Sequence, residues 1–289
     1  MGKRILGSFL MMMLLFMVGC TIKEEPMPGQ EGIRGIFSWT SSMHLEDLDT
    51  FIKVMDHLEL NTVFQTISSS ADVADVQMFL ARAAKENLSV YVLTGDPTWG
   101  LDEEGESMIR RIERMAWIND HVPEDHRLKG IVMDVEPYLL PEFKEDQEEI
   151  MAAFVSGLKK AYEVAKSKEL EFIVCIPYYY DHWMLEEALY EIIVEASDQV
   201  AVMNYYVGKE LEHLSLEATY AKEAKKDMMT IYEMKPPGTH GLTERNTYYA
   251  LGFSAVEENF TAIQEALAEQ RIHLVYHDYN AVKELLGYE

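Results

Sequence analysis

Two carboxylates stand two residues apart in Asp134-Val135-Glu136, at the end of the apolar run Gly130–Asp134 and directly before Pro137. On a strand that spacing puts both side chains on one face. Pro137 constrains the exit of the chain beside Glu136. Two carboxyls that share a poorly solvated pocket repel each other, and burial penalises their charged forms. One of them is then protonated at neutral pH. A protonated carboxyl next to an ionised one can protonate a leaving oxygen, as the cleavage of a glycosidic bond requires. The competing structural reading is an ion pair at a strand end, with Lys235 as the cation.

What would position these acids is a repeating pattern of short apolar runs. They fall at Arg34–Trp39, Thr62–Ile67, Ser89–Leu93, Gly130–Asp134, Phe172–Pro177, Val200–Asn204, Met229–Glu233 and His273–Tyr276. Nearly continuous apolar character marks parallel strands covered on both sides. Between the runs lie helical patterns. Leu45, Leu48, Ile52, Met55 and Leu58 form one apolar face, and Val155, Leu158, Tyr162 and Ala165 form another. Strand–helix units in this number predict a closed (β/α)8 TIM barrel rather than an open doubly wound sheet. No glycine-rich phosphate loop follows any run, which argues against a nucleotide fold. A long third helix is expected within Asp102–Asp125. Pro236–Gly252 is expected to be a long loop over the barrel mouth or, alternatively, a disordered segment.

In such a barrel the chemistry sits where strands end. The expected rim carries Ser38 and Trp39, Gln65, Asp96 and Trp99, and Asp134 and Glu136. It continues with Tyr178, Tyr179, Tyr180, Asp181, His182 and Trp183, then Asn204, Tyr205 and Tyr206, then Glu233 and Lys235, and finally His277, Asp278 and Tyr279. Aromatic faces stack on the C–H faces of sugars, while acids and amides bind hydroxyls. The expected ligand is therefore a carbohydrate, held by Trp39, Gln65, Asp96, Trp99, Tyr178, Tyr179, Trp183, Asn204, His277 and Asp278. Aromatics also close strand ends in barrels that bind no sugar.

Lys129-Gly130-Ile131-Val132-Met133-Asp134-Val135-Glu136 resembles the strand-four signature DGxDxDxE of the family-18, chitinase-like glycoside hydrolases. The glycine, the last aspartate and the glutamate are kept, whereas Lys129 and Val132 replace the first two aspartates. Val200-Ala201-Val202-Met203-Asn204-Tyr205 resembles the strand-six motif MxYD, with Tyr206 in place of its aspartate. The resemblance covers these two motifs and the barrel order. It implies that Glu136 is the acid and that Asp134 orients a substrate acetamido group, which itself attacks the anomeric carbon. Tyr205 would then hydrogen-bond the acetamido oxygen. The two missing aspartates bear on the proton relay of that family.

A second pattern resembles the retaining glycosidases that place an acid at the end of strand four and a nucleophile at the end of strand seven. Those positions are Glu136 and Glu233. That clan has asparagine directly before the acid, where this chain has Val135. Both patterns make Glu136 the acid and differ in the nucleophile. No cofactor is expected. The nine histidines form no His-x-His or His-x-x-x-His pair, so no metal centre is expected, although His277-Asp278 could join Asp134 in one. No Gly-x-Ser-x-Gly elbow appears, and Cys175 lies mid-strand as a small apolar residue.

The net charge of -25 over 289 residues disfavours nucleic acid and anionic lipid as partners. Lys3 and Arg4 precede an apolar run, Ile5–Val18, that is short for a membrane span and reads as a signal peptide over 1–19. Met17-Val18-Gly19-Cys20 resembles the bacterial lipobox, which implies lipidation of Cys20. Residues 20–31, with Pro26, Pro28 and Gly29, read as a tether, and 32–289 as the barrel domain. Cys20 and Cys175 are the two cysteines. A disulfide between them is implausible, so the fold must rest on its core. The expectation is a monomeric, exported protein anchored to the outward face of the cell membrane. It would be a glycoside hydrolase on a polysaccharide or cell-wall glycan or, alternatively, a non-catalytic glycan-binding lipoprotein.

Overall fold

The computed structural model describes residues 32–40 and 47–288. The expected signal peptide, lipidated Cys20 and tether lie outside these residues, as does Leu45. Eight strands form one closed barrel in sequential order. They are β1 (Arg34–Ser38), β2 (Thr62–Thr66), β3 (Ser89–Thr94), β4 (Gly130–Met133), β5 (Glu171–Pro177), β6 (Gln199–Met203), β7 (Met228–Glu233) and β8 (Ile272–His277). All neighbours are parallel, and β1 pairs β8 to close the ring. The helices on the outside are α1 (Leu48–His57), α2 (Val73–Lys85), α3 (Glu106–Asn119), α4 (Gln147–Ser167), α5 (Glu186–Glu195), α6 (Glu210–His213), α7 (Ser215–Ala224), α8 (Gly252–Ala266) and α9 (Tyr279–Leu285). The chain folds as a (β/α)8 barrel. Among the described residues no helix is long and apolar enough to cross a membrane.

The strands are largely apolar and buried at most positions because they serve two cores. Phe37, Phe64, Leu93, Val132, Ile173, Met229, Ile231 and Val275 fill the barrel interior. Their neighbours Ile36, Val63, Val92, Ile131, Val174, Val202 and Leu274 face the helices. Side chains alternate along a strand, so one run feeds both layers. On α4, Val155, Leu158, Tyr162 and Ala165 are buried. On α1 the buried residues are Phe51, Val54 and Met55, whereas Leu48, Ile52 and Leu58 pack at the margin. The stripe on α1 is thus rotated from the expected one. Each large apolar side chain buried in these layers stabilises the fold by about 1.5–3 kcal/mol.

Two glycines bring β4 close to its neighbours. A Cβ on Gly130 would lie 2.2 Å from the Glu171 carbonyl oxygen, and one on Gly95 would lie 1.7 Å from the Asp134 carbonyl oxygen. Thus β4 and the end of β3 approach more closely than any side chain would allow. The segment after β7 is ordered by hydrogen bonds to the ends of β6 and β7. Val207 N–H donates to the Arg245 carbonyl at 2.8 Å, Tyr248 N–H donates to the Glu233 carbonyl at 2.9 Å, and Asn246 Nδ2 donates to the Tyr205 carbonyl at 2.9 Å.

Candidate functional site

The inward alternation continues past the strand ends. On β4 the inward line runs Val132, Asp134, Glu136, because Val132 lies in the interior core. The pairs Val132↔Ile173 and Met133↔Val174 set the register with β5. One step further, that register puts Asp134 beside Cys175, another interior residue. Asp134 N–H donates to the Thr94 carbonyl at 2.8 Å, which continues the β3 ladder.

Asp134 is a strongly perturbed carboxyl of the barrel interior. Its Oδ1 is buried without a hydrogen-bond partner. Burial foremost, and then the adjacent Glu136 charge, push its pKa from 3.8 up to about 7, against an opposing effect of His277. The Cys175 thiol beside it is also driven well above its ordinary range, by burial first and then by Asp134 and Glu136. It stays a neutral thiol there. Glu136 sits half-buried and accepts a short hydrogen bond from the Tyr138 hydroxyl.

Tyr205 stands among the acids. Burial first, then Glu233, Asp134, Cys175 and Glu136, keep its phenol protonated well beyond the usual value. A protonated hydroxyl among carboxylates is a donor that can be offered to an oxygen of a ligand. Its ring lies 5.8 Å from that of His277. Glu233 is 3% exposed. Its Oε1 accepts the Lys235 backbone N–H at 2.8 Å, and its Oε2 lies 2.8 Å from His277 Nδ1. His277 Nε2 in turn receives Trp39 Nε1–H at 3.2 Å. Lys235 Nζ pairs with Asp278 at 3.0 Å rather than with Asp134 or Glu136. The Asp278 carboxylate also caps α9 by accepting Ala281 N–H.

Trp39, Asp134, Glu136, Tyr205, Glu233 and His277 are therefore brought together at one end of the barrel. Tyr179 and Trp183 form a wall at its edge. Their rings are 4.4 Å apart, and each packs edge-on against Tyr138, at 5.7 Å and 6.3 Å. Trp183 is 40% exposed and available for stacking.

Four expected ligand-binding residues are placed elsewhere. Gln65 follows inward Phe64 and so faces out, where its Nε2 donates to the carbonyls of Thr40 and Thr66. Asn204 follows inward Met203 and is buried in a network with the Glu210 carbonyl and His213. Asp96 caps a 3-10 turn through Thr98, which lowers its pKa. Trp99 packs against the outer core. Tyr178 is a margin case, stacked on His213 at 4.1 Å. Alternation along β2 and β6, with Phe64 and Met203 facing the interior, excludes Gln65 and Asn204 from the mouth. Tyr138, absent from the expected rim, lies in the 3-10 turn Pro137–Leu139 that follows Glu136 and turns its hydroxyl back onto that carboxyl. Cys175 lies against Asp134, and only the β4–β5 register reveals that.

Among the described residues no group of three or more His, Cys, Asp or Glu side chains is arranged to hold a metal ion.

No protein-family model matches the sequence, and no curated protein matches it in sequence. Solved structures match the fold. The spore cortex-lytic enzyme SleL of Bacillus megaterium superposes with a TM-score of 0.57 at 12% identity, over 88% of this chain and 73% of that one. A chitinase of Chromobacterium violaceum gives 0.51 at 13% identity, over 90% and 100%. D-Psicose 3-epimerase of Clostridium cellulolyticum also gives 0.51, at 10% identity, over 86% and 85%. At such identities the shared property is the barrel, which hosts unrelated chemistries.

Proposed function

We propose that this protein cleaves a glycan, with Glu136 as the general acid and Asp134 and Tyr205 as partners of a substrate acetamido group. The observation that carries this reading is the Asp134–Glu136 pair: two inward carboxyls, the inner one raised to about 7 by burial and with its Oδ1 left unsatisfied. An acetamido N–H would donate to Asp134 and favour its ionised form. The shared proton then passes to Glu136, which delivers it to the leaving oxygen. The Tyr205 hydroxyl would donate to the acetamido oxygen and hold it against the anomeric carbon. Val132 takes the place of the inner aspartate of the family-18 pattern, so Asp134 has a neutral thiol rather than a carboxylate at its back. Cleavage proteins with this barrel include the chitinase and the cortex-lytic enzyme named above. A lipid on Cys20 would hold the site at the outward face of the membrane, within reach of cell-wall glycan.

The test is the release of reducing ends from N-acetylglucosamine polymers and cell-wall glycan. Wild type should release them and Glu136→Gln should not. Equal release by Glu136→Gln would refute the assigned acid. The Tyr138 hydroxyl on Glu136 favours a second reading, in which the acid is held and the barrel only captures glycans. Tight binding without turnover by wild type would select it.

A further inference from the structure

The line Glu233–His277–Trp39 has a direction that chemistry dictates. An indole nitrogen can only donate. Trp39 Nε1 lies 3.2 Å from His277 Nε2, so that ring nitrogen accepts and carries no proton. The imidazole proton is therefore on Nδ1, from which it is donated to Glu233 Oε2 at 2.8 Å. The other carboxylate oxygen is held by the Lys235 backbone N–H. Glu233 thus selects the tautomer of His277, and that tautomer leaves a lone pair for the Trp39 indole.

Access is graded along the same line. The Glu233 side chain is 3% exposed and that of His277 13%, while Trp39 is half-buried at the end of β1. Phe37 supports both rings from below, edge-on at 6.5 Å to Trp39 and 6.0 Å to His277. A carboxylate that attacks an anomeric carbon must bring an oxygen into contact with it. Glu233 would have to displace His277 to do so.

We propose that Glu233 is a positioning residue rather than a nucleophile: through His277 it holds the Trp39 indole as a platform for a sugar ring. This rests on the glycan reading for the identity of the ligand, but the relay itself does not depend on turnover.

Two arms keep those failures apart. The first uses the ¹⁵N-labelled protein and reads the imidazole and indole resonances, with His277 and Trp39 assigned by substitution. Wild type should show His277 protonated at Nδ1. Glu233→Ala should move that proton to Nε2 and shift the Trp39 indole N–H resonance. An Nε2-protonated His277 in wild type, or an unmoved Trp39 resonance in Glu233→Ala, would overturn the relay. The second arm uses a chromogenic N-acetylglucosamine oligosaccharide. Glu233→Gln should keep kcat within about tenfold, and Trp39→Ala should raise KM about tenfold or more. A kcat loss of about a thousandfold in Glu233→Gln, restored by azide with formation of a glycosyl azide, would make Glu233 the nucleophile.

Discussion

Asp134 and Glu136 share one inward line at the end of β4, yet they are satisfied in different ways: Glu136 accepts the Tyr138 hydroxyl, while Asp134 Oδ1 is buried with no donor. Burial and the neighbouring charge raise the inner carboxyl to about 7, so it holds a proton through the acidic range. Binding of a donor at Asp134 is what would move the proton outward. The pair is asymmetric before any ligand arrives.

This asymmetry has a signature in pH. The folded Asp134 titrates at about 7, above its ordinary value of 3.8, because burial and the Glu136 charge disfavour its ionisation. An acid raised on folding makes stability fall as pH rises between about 4 and 7, with a level region above. Hydrolysis needs the shared proton and should fall as pH rises through about 7, roughly tenfold per unit. Asp134→Asn should flatten the stability slope, read as urea midpoints across that range, and should lower kcat about a hundredfold.

Gly95 is where the barrel makes room for the acids. A Cβ there would stand 1.7 Å from the Asp134 carbonyl oxygen, so Gly95→Ala must push the end of β4 away. We expect a loss of about 1–3 kcal/mol in stability and a drop in turnover of about a hundredfold or more. Unfolding curves and the reducing-end assay test both parts. Wild-type turnover in a folded Gly95→Ala protein would show that the position of Asp134 does not matter.

Glu217 on α7 is fully buried, and neither carboxyl oxygen has a partner. Burial foremost, and Asp181 next, raise it from 4.5 to about 8. Stability is therefore lost as pH rises from about 4.5 to about 8, as the unfolded chain gives up a proton that the folded chain keeps. Glu217→Leu should be more stable than wild type, by roughly 2–4 kcal/mol near pH 8 and by less near pH 5. A stability gain independent of pH would mean that the carboxyl finds a partner.

Membrane attachment is testable without any assay of activity. Cells fed a labelled fatty acid should label the wild-type protein and leave Cys20→Ser unlabelled and released from the membrane fraction. Label retained by Cys20→Ser would place the modification elsewhere.

Much of this protein is determined locally. Runs such as Gly130–Met133 and Met228–Glu233 are buried at every position because each strand is covered on both sides. Their order then leaves a (β/α)8 barrel as the economical fold. The i, i+2 spacing of Asp134 and Glu136 puts both on one face of the chain, and the interior placement of Val132, Phe64 and Met203 turns that face inward and Gln65 and Asn204 outward. Tertiary structure alone decided which groups stand at one height around the ring. The β4–β5 register sets Cys175 beside Asp134, and the β7–β8 pairing of Glu233 with His277 makes one of the acids a buried anchor. Closure of β1 against β8 then brings Trp39 onto that histidine. Those relations span up to 238 residues of chain. They are fixed by strand register and barrel closure, which no local pattern of residue types encodes.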